Sequence, residues 1–287
     1  VLLAELVAQA GFPVGAFNAV TGLGAEAGAA LAAHPGVAHL GFVGSTQTGS
    51  LIAHAAADRV VPTVLELGGK SANIVFPDAD IDAAVPSLVR SIVQNAGQTC
   101  SAGSRLLVHR DVHDQVVDAM AKTMSTLTIG RGTDDPDLGP LISAKQLERV
   151  NGFLDRLEGG SVVCGGSAPE GLSDDVKGGA FFAPTIVDGV DPASEIAQDE
   201  VFGPVVAVMS FDSDEEALAL ANGTEYGLVS AVWTQNLSRA HHMVNNIDAG
   251  QVFVNTYGAG GGVELPFGGV KKSGYGREKS IEALDEY

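Results

Sequence analysis

The stretch VAHLGFVGSTQTGSLIAHAAADRVVPTVLEL, Val37 to Leu67, decides the fold. An apolar run from Val37 to Val43 meets Gly44-Ser45, a helical pattern follows over roughly Gln47 to Ala57, and a second apolar run spans Thr63 to Leu67. Strand, polar turn, helix and strand in that order form a βαβ unit, and the crossover lets its strands pair in parallel.

The same alternation continues outward. Before the unit, Leu2 to Ala10 reads as a helix, Ala16 to Val20 as a short strand and Ala25 to Ala33 as a helix. After it come strand Ala72 to Phe76, helix Ile81 to Val93 with Asp80 as N-cap, strand Arg105 to His109 and helix His113 to Leu127. Gly130 to Gly139 reads as a surface loop, then helix Ala144 to Leu157 and strand Ser161 to Cys164 precede a Gly/Pro/Asp-rich excursion to Gly179. The last hundred residues return to βα patterns at Val205 to Phe211, Glu215 to Ala221, Ser230 to Thr234, Ser238 to Ile247 and Val252 to Asn255. The fold class is α/β, with parallel sheets and a domain boundary at Gly68-Gly69.

Composition narrows the function classes. The 287 residues are 45% hydrophobic and 18% charged, an ordinary globular mix, and 16 Lys+Arg against 35 Asp+Glu give a net charge of −19. Such a surface repels phosphate backbones and anionic headgroups, which disfavours nucleic acid and membrane partners. Two cysteines, Cys100 and Cys164, form neither a disulfide framework nor a zinc pattern, so a reducing, cytoplasmic setting without a metal site is expected. Val1 is not an initiator methionine and its surroundings read as helix interior, so a piece of a longer protein is expected.

Local chemistry leaves alternatives open. Cys100 lies in NAGQTCSAGSR among small and polar residues between a helix and a strand. It is either an inert thiol or a nucleophile whose pKa nearby backbone N–H groups lower. Cys164 ends an apolar strand and reads as core. Glu66, in TVLELGGKS, is either an acid on a solvated strand face or a carboxylate whose pKa apolar walls raise until it serves as a general base. FVGSTQTGS, Phe42 to Ser50, runs from strand into helix and could offer N–H donors to a phosphate, whereas Gly22-Leu23-Gly24 is a weaker match and GKS at 69–71 lacks the upstream glycine of a Walker loop. Glu200-Val201-Phe202-Gly203-Pro204 and Leu265-Pro266-Phe267-Gly268-Gly269 are either loop anchors or pocket walls, with Glu200 reaching a ligand hydroxyl. His241-His242 reads as helix surface.

Four of these stretches, ELGGKSANIVF, GQTCSAGSR, EVFGPVVAV and PFGGVKKSGYGRE, resemble in order and spacing the NAD(P)-dependent aldehyde dehydrogenases, over essentially the whole chain. The resemblance implies an aldehyde-dehydrogenase-like α/β fold: residues 1–67 as the C-terminal part of a Rossmann-like cofactor domain, 68–267 as the catalytic domain and 268–287 as a segment leading to an oligomerisation strand. It implies that Cys100 attacks the aldehyde as a thiolate and that Glu66 activates the water that hydrolyses the thioester. Gly44 and Ser45 would meet the cofactor phosphates, with Thr48, Gly49 and Leu67 in the same cofactor set. Glu200 would hold the nicotinamide ribose, Phe202 would lie beside the nicotinamide, and Gln146 and Arg149 would lie near the cofactor.

The cofactor implied is NAD or NADP, NAD being favoured; the partners implied are a small-molecule aldehyde and further copies in a homodimer or homotetramer. In the family, an asparagine completing the oxyanion hole and a lysine holding the adenosine ribose precede the part matched here. An acyl-CoA-forming or thiol-esterase-like relative and a non-catalytic homologue are the competing readings. For an α/β sheet, the site is expected at the carboxyl ends of strands, with Glu66 and Cys100 facing one cavity.

Overall fold

The structure is a computed structural model and describes residues 1–258 and 262–286. Helix α1 (Leu2–Gln9) buries none of its residues. A π-helical turn at Gly24–Gly28 leads into α2 (Ala29–Ala33). The βαβ unit follows as β1 (Leu40–Val43), α3 (Thr46–Ala57) and β2 (Thr63–Glu66). Its strands are parallel, with Leu40 opposite Thr63 and Val43 opposite Glu66. Ser45 caps α3, its Oγ accepting the Thr48 N–H at 3.2 Å, which satisfies one of the free donors of the first turn.

The second set of elements runs β3 (Ala72–Val75), α4 (Ile81–Val93), β4 (Arg105–His109), α5 (His113–Met124), α6 (Ala144–Asp155), β5 (Ser161–Cys164) and β6 (Thr185–Asp188). It continues with α7 (Glu195–Gln198), β7 (Val205–Phe211), α8 (Asp214–Asn222), β8 (Tyr226–Gly227), β9 (Val229–Trp233), α9 (Leu237–Asn246) and β10 (Gln251–Val254). Among the described residues these build a seven-stranded sheet in the order β10-β9-β3-β4-β7-β6-β5. Every pair in it is parallel except β5 with β6. Ile74, Leu107, Val208 and Val232 in its middle strands have no exposed surface, as expected when helices cover both faces of a parallel sheet.

The chain then returns to the first sheet. Strand β11 (Val270–Lys271) pairs with β8, and β12 (Gly274–Tyr275) lies antiparallel to β2, with Gly274 opposite Glu66 and Tyr275 opposite Leu65. Ser273, fully buried, binds the crossing. Its Oγ donates to the Gly68 carbonyl at 2.7 Å and accepts the Gly227 N–H at 3.0 Å, while its carbonyl accepts the Leu67 N–H at 3.0 Å.

Several elements differ from the expectations. Residues 16–20 form no strand and are exposed; β2 pairs with β1 on one side and β12 on the other, and no described strand lies beside 16–20 to take its backbone groups. The helix expected over Ala25 to Ala33 is split between the π turn and α2. Strand β6 carries no expectation at all; two apolar residues, Ile186 and Val187, between Thr185 and Asp188 have too little periodicity to announce a strand, and pairing with β7 is what makes it one. Cys164 is half-buried rather than core, because β5 is an edge strand and its Val162 and Val163 are 43% and 41% exposed.

Candidate active site

A cavity of about 800 Å³ opens between the two sheets. Val43 and Glu66 reach it from the carboxyl ends of β1 and β2. The catalytic-sheet side is different: Gly68 precedes β3, Cys100 precedes β4, and Glu200 and Phe202 precede β7. The carboxyl-end expectation therefore holds for the first sheet, and the amino ends of strands face the cavity from the second. The loops meet there because β3, β4 and β7 are parallel near-neighbours, which puts their amino ends side by side.

Close backbone packing explains the small residues of these loops. A Cβ on Gly69 would lie 2.2 Å from the Cys100 carbonyl oxygen. One on Gly97, whose φ is +70°, would lie 2.1 Å from the Gly203 carbonyl oxygen. Asn95 and Ala96, at φ +52° and +53°, share that left-handed conformation, which costs a non-glycine residue on the order of 1–3 kcal/mol. Reciprocal bonds hold them: Asn95 Nδ2 donates to the Gln98 carbonyl at 2.9 Å and Gln98 Nε2 to the Asn95 carbonyl at 3.1 Å. Gln98 Oε1 accepts the Ile142 N–H at 2.9 Å and anchors the turn to the next segment.

Glu66 is 2% exposed, so the solvated-face alternative is excluded. Neither of its carboxylate oxygens has a hydrogen-bond partner among the described residues. Burial, then the charge of Glu278, pushes its pKa up to about 8, against the opposing pull of Arg277 and Lys279. Cys100 is half-buried against the cluster formed by Leu228, Val229 and Phe267. Its thiol is pushed up to about 11 by burial and by the carboxylates of Glu200 and Glu66. The N–H groups of Cys100 and Ser101 pull the other way, as the sequence reading expects, and are outweighed. Thiol and carboxyl are therefore both mainly protonated at neutral pH.

Glu200 accepts the Gly69 N–H on Oε1 at 3.1 Å. Gln146 and Arg149 line the cavity, yet their polar heads grip backbone. Gln146 Nε2 donates to the Phe202 carbonyl at 2.7 Å, and an Arg149 Nη donates to the Glu200 carbonyl at 2.7 Å. Those bonds hold Phe202 at φ +58° with its ring 36% exposed on the cavity wall.

Gly44 and Ser45 also line the cavity. Thr48, Gly49 and Leu67 do not: Thr48 is bound by the Ser45 cap, and Gly49 and Leu67 are buried against each other, a Cβ on Gly49 falling 2.5 Å from a Leu67 methyl. Phe267, read from the sequence as either a loop anchor or a pocket wall, lines the cavity, and Gln94, Gln98, Thr99, Ser101 and Lys279 line it without having been singled out. The signal available for Lys279 was its place directly after PFGGVKKSGYGRE, a stretch that β12 brings back to β2.

Two sheets with a thiol and two carboxylates around one cleft define an α/β protein built for chemistry between its layers. The chain belongs to the aldehyde dehydrogenase family, whose family model matches residues 1–287. It is 42% identical to the chloroplastic betaine aldehyde dehydrogenase of Beta vulgaris over 286 residues, 99% of this chain and 56% of that protein. A crystal structure from Burkholderia cenocepacia, 52% identical, superposes with a TM-score of 0.95 over 100% of this chain and 60% of the other. PnpE from Pseudomonas sp. WBC-3, solved in complex with nicotinamide adenine dinucleotide, gives a TM-score of 0.96 at 45% identity, covering 100% and 58%. The chain spans 56–59% of the length of the curated relatives it matches.

Proposed function

We propose that this chain carries the thiol and carboxylate of an NAD(P)-linked enzyme that oxidises an aldehyde to a carboxylic acid. The observation that carries the reading is the convergence of Cys100 and Glu66 on one cavity with the carboxylate oxygens unpartnered. In this reading residues 1–67 belong to the cofactor domain, 68–267 to the catalytic domain, and 268–287 is the segment that leaves it. The protein is a cytoplasmic homo-oligomer, a reading supported by two cysteines outside any disulfide and by the exposed apolar side chains of Leu2, Leu3 and Leu6.

The residues fit a nicotinamide nucleotide. The capped N-terminus of α3 at Ser45 suits a phosphate, Glu200 has oxygen lone pairs left for ribose hydroxyls, and the Phe202 ring offers a flat wall. NAD is favoured over NADP. When bound, the nicotinamide supplies the acceptor for the two electrons leaving the aldehyde carbon.

Cys100 Sγ, once its proton has passed to solvent, bonds to the carbonyl carbon as the C=O π pair moves onto oxygen, and the Cys100 N–H stabilises the oxyanion of the resulting thiohemiacetal. Oxidation leaves a thioester on Sγ. Glu66, ionised, takes a proton from water as that water attacks the thioester carbon; the acid leaves and Sγ departs as thiolate. A Glu66 pKa of about 8 leaves roughly one carboxylate in ten ionised at pH 7, so hydrolysis accelerates as pH rises through 8.

The test is turnover of an aldehyde panel by the full-length protein with NAD and NADP, with and without CoA. Free acid is the expected product, and Cys100→Ser lowers turnover at least ~10³-fold. Acyl-CoA as product would favour the acyl-transfer relative, and unchanged oxidation in Cys100→Ser would remove the thiol from the mechanism.

A further inference from the structure

The turn that carries the thiol is closed around Cys100 and Ser101 without using their own backbone groups. The Ala102 N–H donates to the Thr99 carbonyl at 3.1 Å and the Gly103 N–H to the Ser91 carbonyl at 2.9 Å, while Cys100 and Ser101 take part in no backbone–backbone hydrogen bond among the described residues. Their N–H groups are left for Sγ, where they oppose the rise in the thiol pKa. Backbone groups kept free in this way leave the turn to be oriented by side chains.

Tyr257 reaches it from far along the chain. Its hydroxyl donates to the Ser101 carbonyl at 2.6 Å, across 156 positions of sequence. The other polar contact of Ser101, between its Oγ and Thr99 Oγ1 at 3.0 Å, is internal to the turn and ties it to nothing outside. Strand β10 sets the place of Tyr257. Asn255, at φ +51°, donates its N–H to the Val232 carbonyl at 2.9 Å and clasps Thr234. Its Oδ1 accepts the Thr234 N–H at 3.0 Å and its Nδ2 donates to the Thr234 carbonyl at 2.8 Å. The Tyr257 ring lies 6.3 Å from that of Phe253 and packs against the same Leu228, Val229 and Phe267 cluster as Cys100. Burial pushes the Tyr257 pKa up, so the hydroxyl keeps its proton. With Gly69 pressed on the Cys100 carbonyl, the turn is gripped at both residues.

We infer that Tyr257 is a positioning residue for the thiol: by holding the Ser101 carbonyl it keeps the N–H groups of Cys100 and Ser101 aimed at Sγ. On the aldehyde-oxidising reading proposed above, on which this inference rests for the role of the thiol, Tyr257 sets the reactivity of the nucleophile. It does so through the turn alone, since it does not line the cavity. Hydrogen bonds to a thiolate are charge-assisted and stronger than those to a thiol, so N–H groups that lose their aim weaken the reactive form more than the resting one.

The test has two arms, both in the full-length protein. Alkylation by iodoacetamide from pH 7 to 10, read by mass spectrometry to separate Cys100 from Cys164, needs no cofactor and no turnover. In Tyr257→Phe, which keeps the ring, the Cys100 profile should move to higher pH by about 0.7 units, a fall of about fivefold in rate at pH 8, with Cys164 unchanged. Tyr275→Phe is the control: it loses a hydroxyl bonded to Thr63 Oγ1 at 2.7 Å outside the cavity, and Cys100 should alkylate as in the parent. In turnover, kcat/KM for an aldehyde should fall about fivefold in Tyr257→Phe while the KM for NAD stays within about twofold. Alkylation of Cys100 that matches the parent at every pH, or a fall shared equally by Cys164, overturns the inference. So does a shifted profile that leaves kcat/KM of an active enzyme unmoved. A shifted profile with no aldehyde oxidised by the parent would instead sink the aldehyde reading and leave the hold of Tyr257 on the thiol standing.

Discussion

Glu66 and Lys70 show how the Glu-Leu-Gly-Gly-Lys run places two ionisable groups in the interior at opposite ends of one turn. Glu66 is held mainly neutral by burial, and replacing it with Gln keeps the shape while removing the base. In Glu66→Gln the acyl group should accumulate on Cys100, visible as an adduct in the intact-protein mass, and the rise in rate through pH 8 should vanish. Its stability changes with the opposite sign: an acid with a raised folded pKa costs stability as pH climbs from 4.5 through about 8, so Glu66→Gln should be more stable than the parent above pH 8. Lys70 is 2% exposed and its Nζ has no partner among the described residues. Burial, reinforced by the charge of Arg105, drives its pKa down to about 7. The unfolded chain holds that proton up to about 10.5, so the penalty is fully present below pH 7 and fades towards 10.5. Lys70→Met should therefore raise unfolding stability at pH 7 by about 1–4 kcal/mol and flatten its rise between pH 7 and 10, measured by denaturant titration.

At the scale of elements, the site depends on three turns lying in backbone contact, and glycine is what lets them touch. Gly97→Ala adds a Cβ to a residue at φ +70° and drives it into the Gly203 carbonyl, backbone against backbone with no flexible side chain to yield. A loss of about 3 kcal/mol or more is expected, seen as a drop in unfolding midpoint. Gly132→Ala is the control: a Cβ there meets nothing within 4 Å, and its stability should stay within about 0.5 kcal/mol of the parent. Helix α4 and strand β4 have the residues their local sequence announces, Ile81–Val93 behind an Asp80 cap and Arg105–His109. Amphipathic period, cap and strand length are local quantities, so those elements are legible without knowledge of the rest. Residues 16–20 and strand β6 are not, because strand formation needs a neighbour and neither segment names its own.

At the scale of the whole molecule, the cavity exists because the chain's last strand comes back to its first sheet. Ser273 holds Gly68, Gly227 and Leu67 together at that crossing, immediately under the Glu66 turn. Ser273→Ala leaves the Gly68 carbonyl and the Gly227 N–H without that partner in a buried place, an expected cost of about 2–3 kcal/mol. Hydrogen exchange should show faster opening of residues 65–69 in that variant than of β4. Of the residues assigned to the cofactor from the sequence, Gly44, Ser45, Gln146, Glu200 and Phe202 line the cavity, whereas Thr48 is engaged by the Ser45 cap and Gly49 and Leu67 are buried against each other. Motif membership does not distinguish the two sets, since which side chain faces the cleft depends on how α3 packs on β2.

By itself the sequence determined the class of fold and most helix and strand positions, because periodicity, capping and turn chemistry act over a few residues; the pairing of a thiol motif with a carboxylate motif came from the resemblance to a family. Only the tertiary structure decided that Glu66 is buried and unpartnered, that Gln146 and Arg149 grip the Glu200–Phe202 backbone, and that Phe267 and Lys279 line the same cavity as Cys100. Those relations join residues far apart in the chain, and they are set by strand order and register, which no local stretch contains.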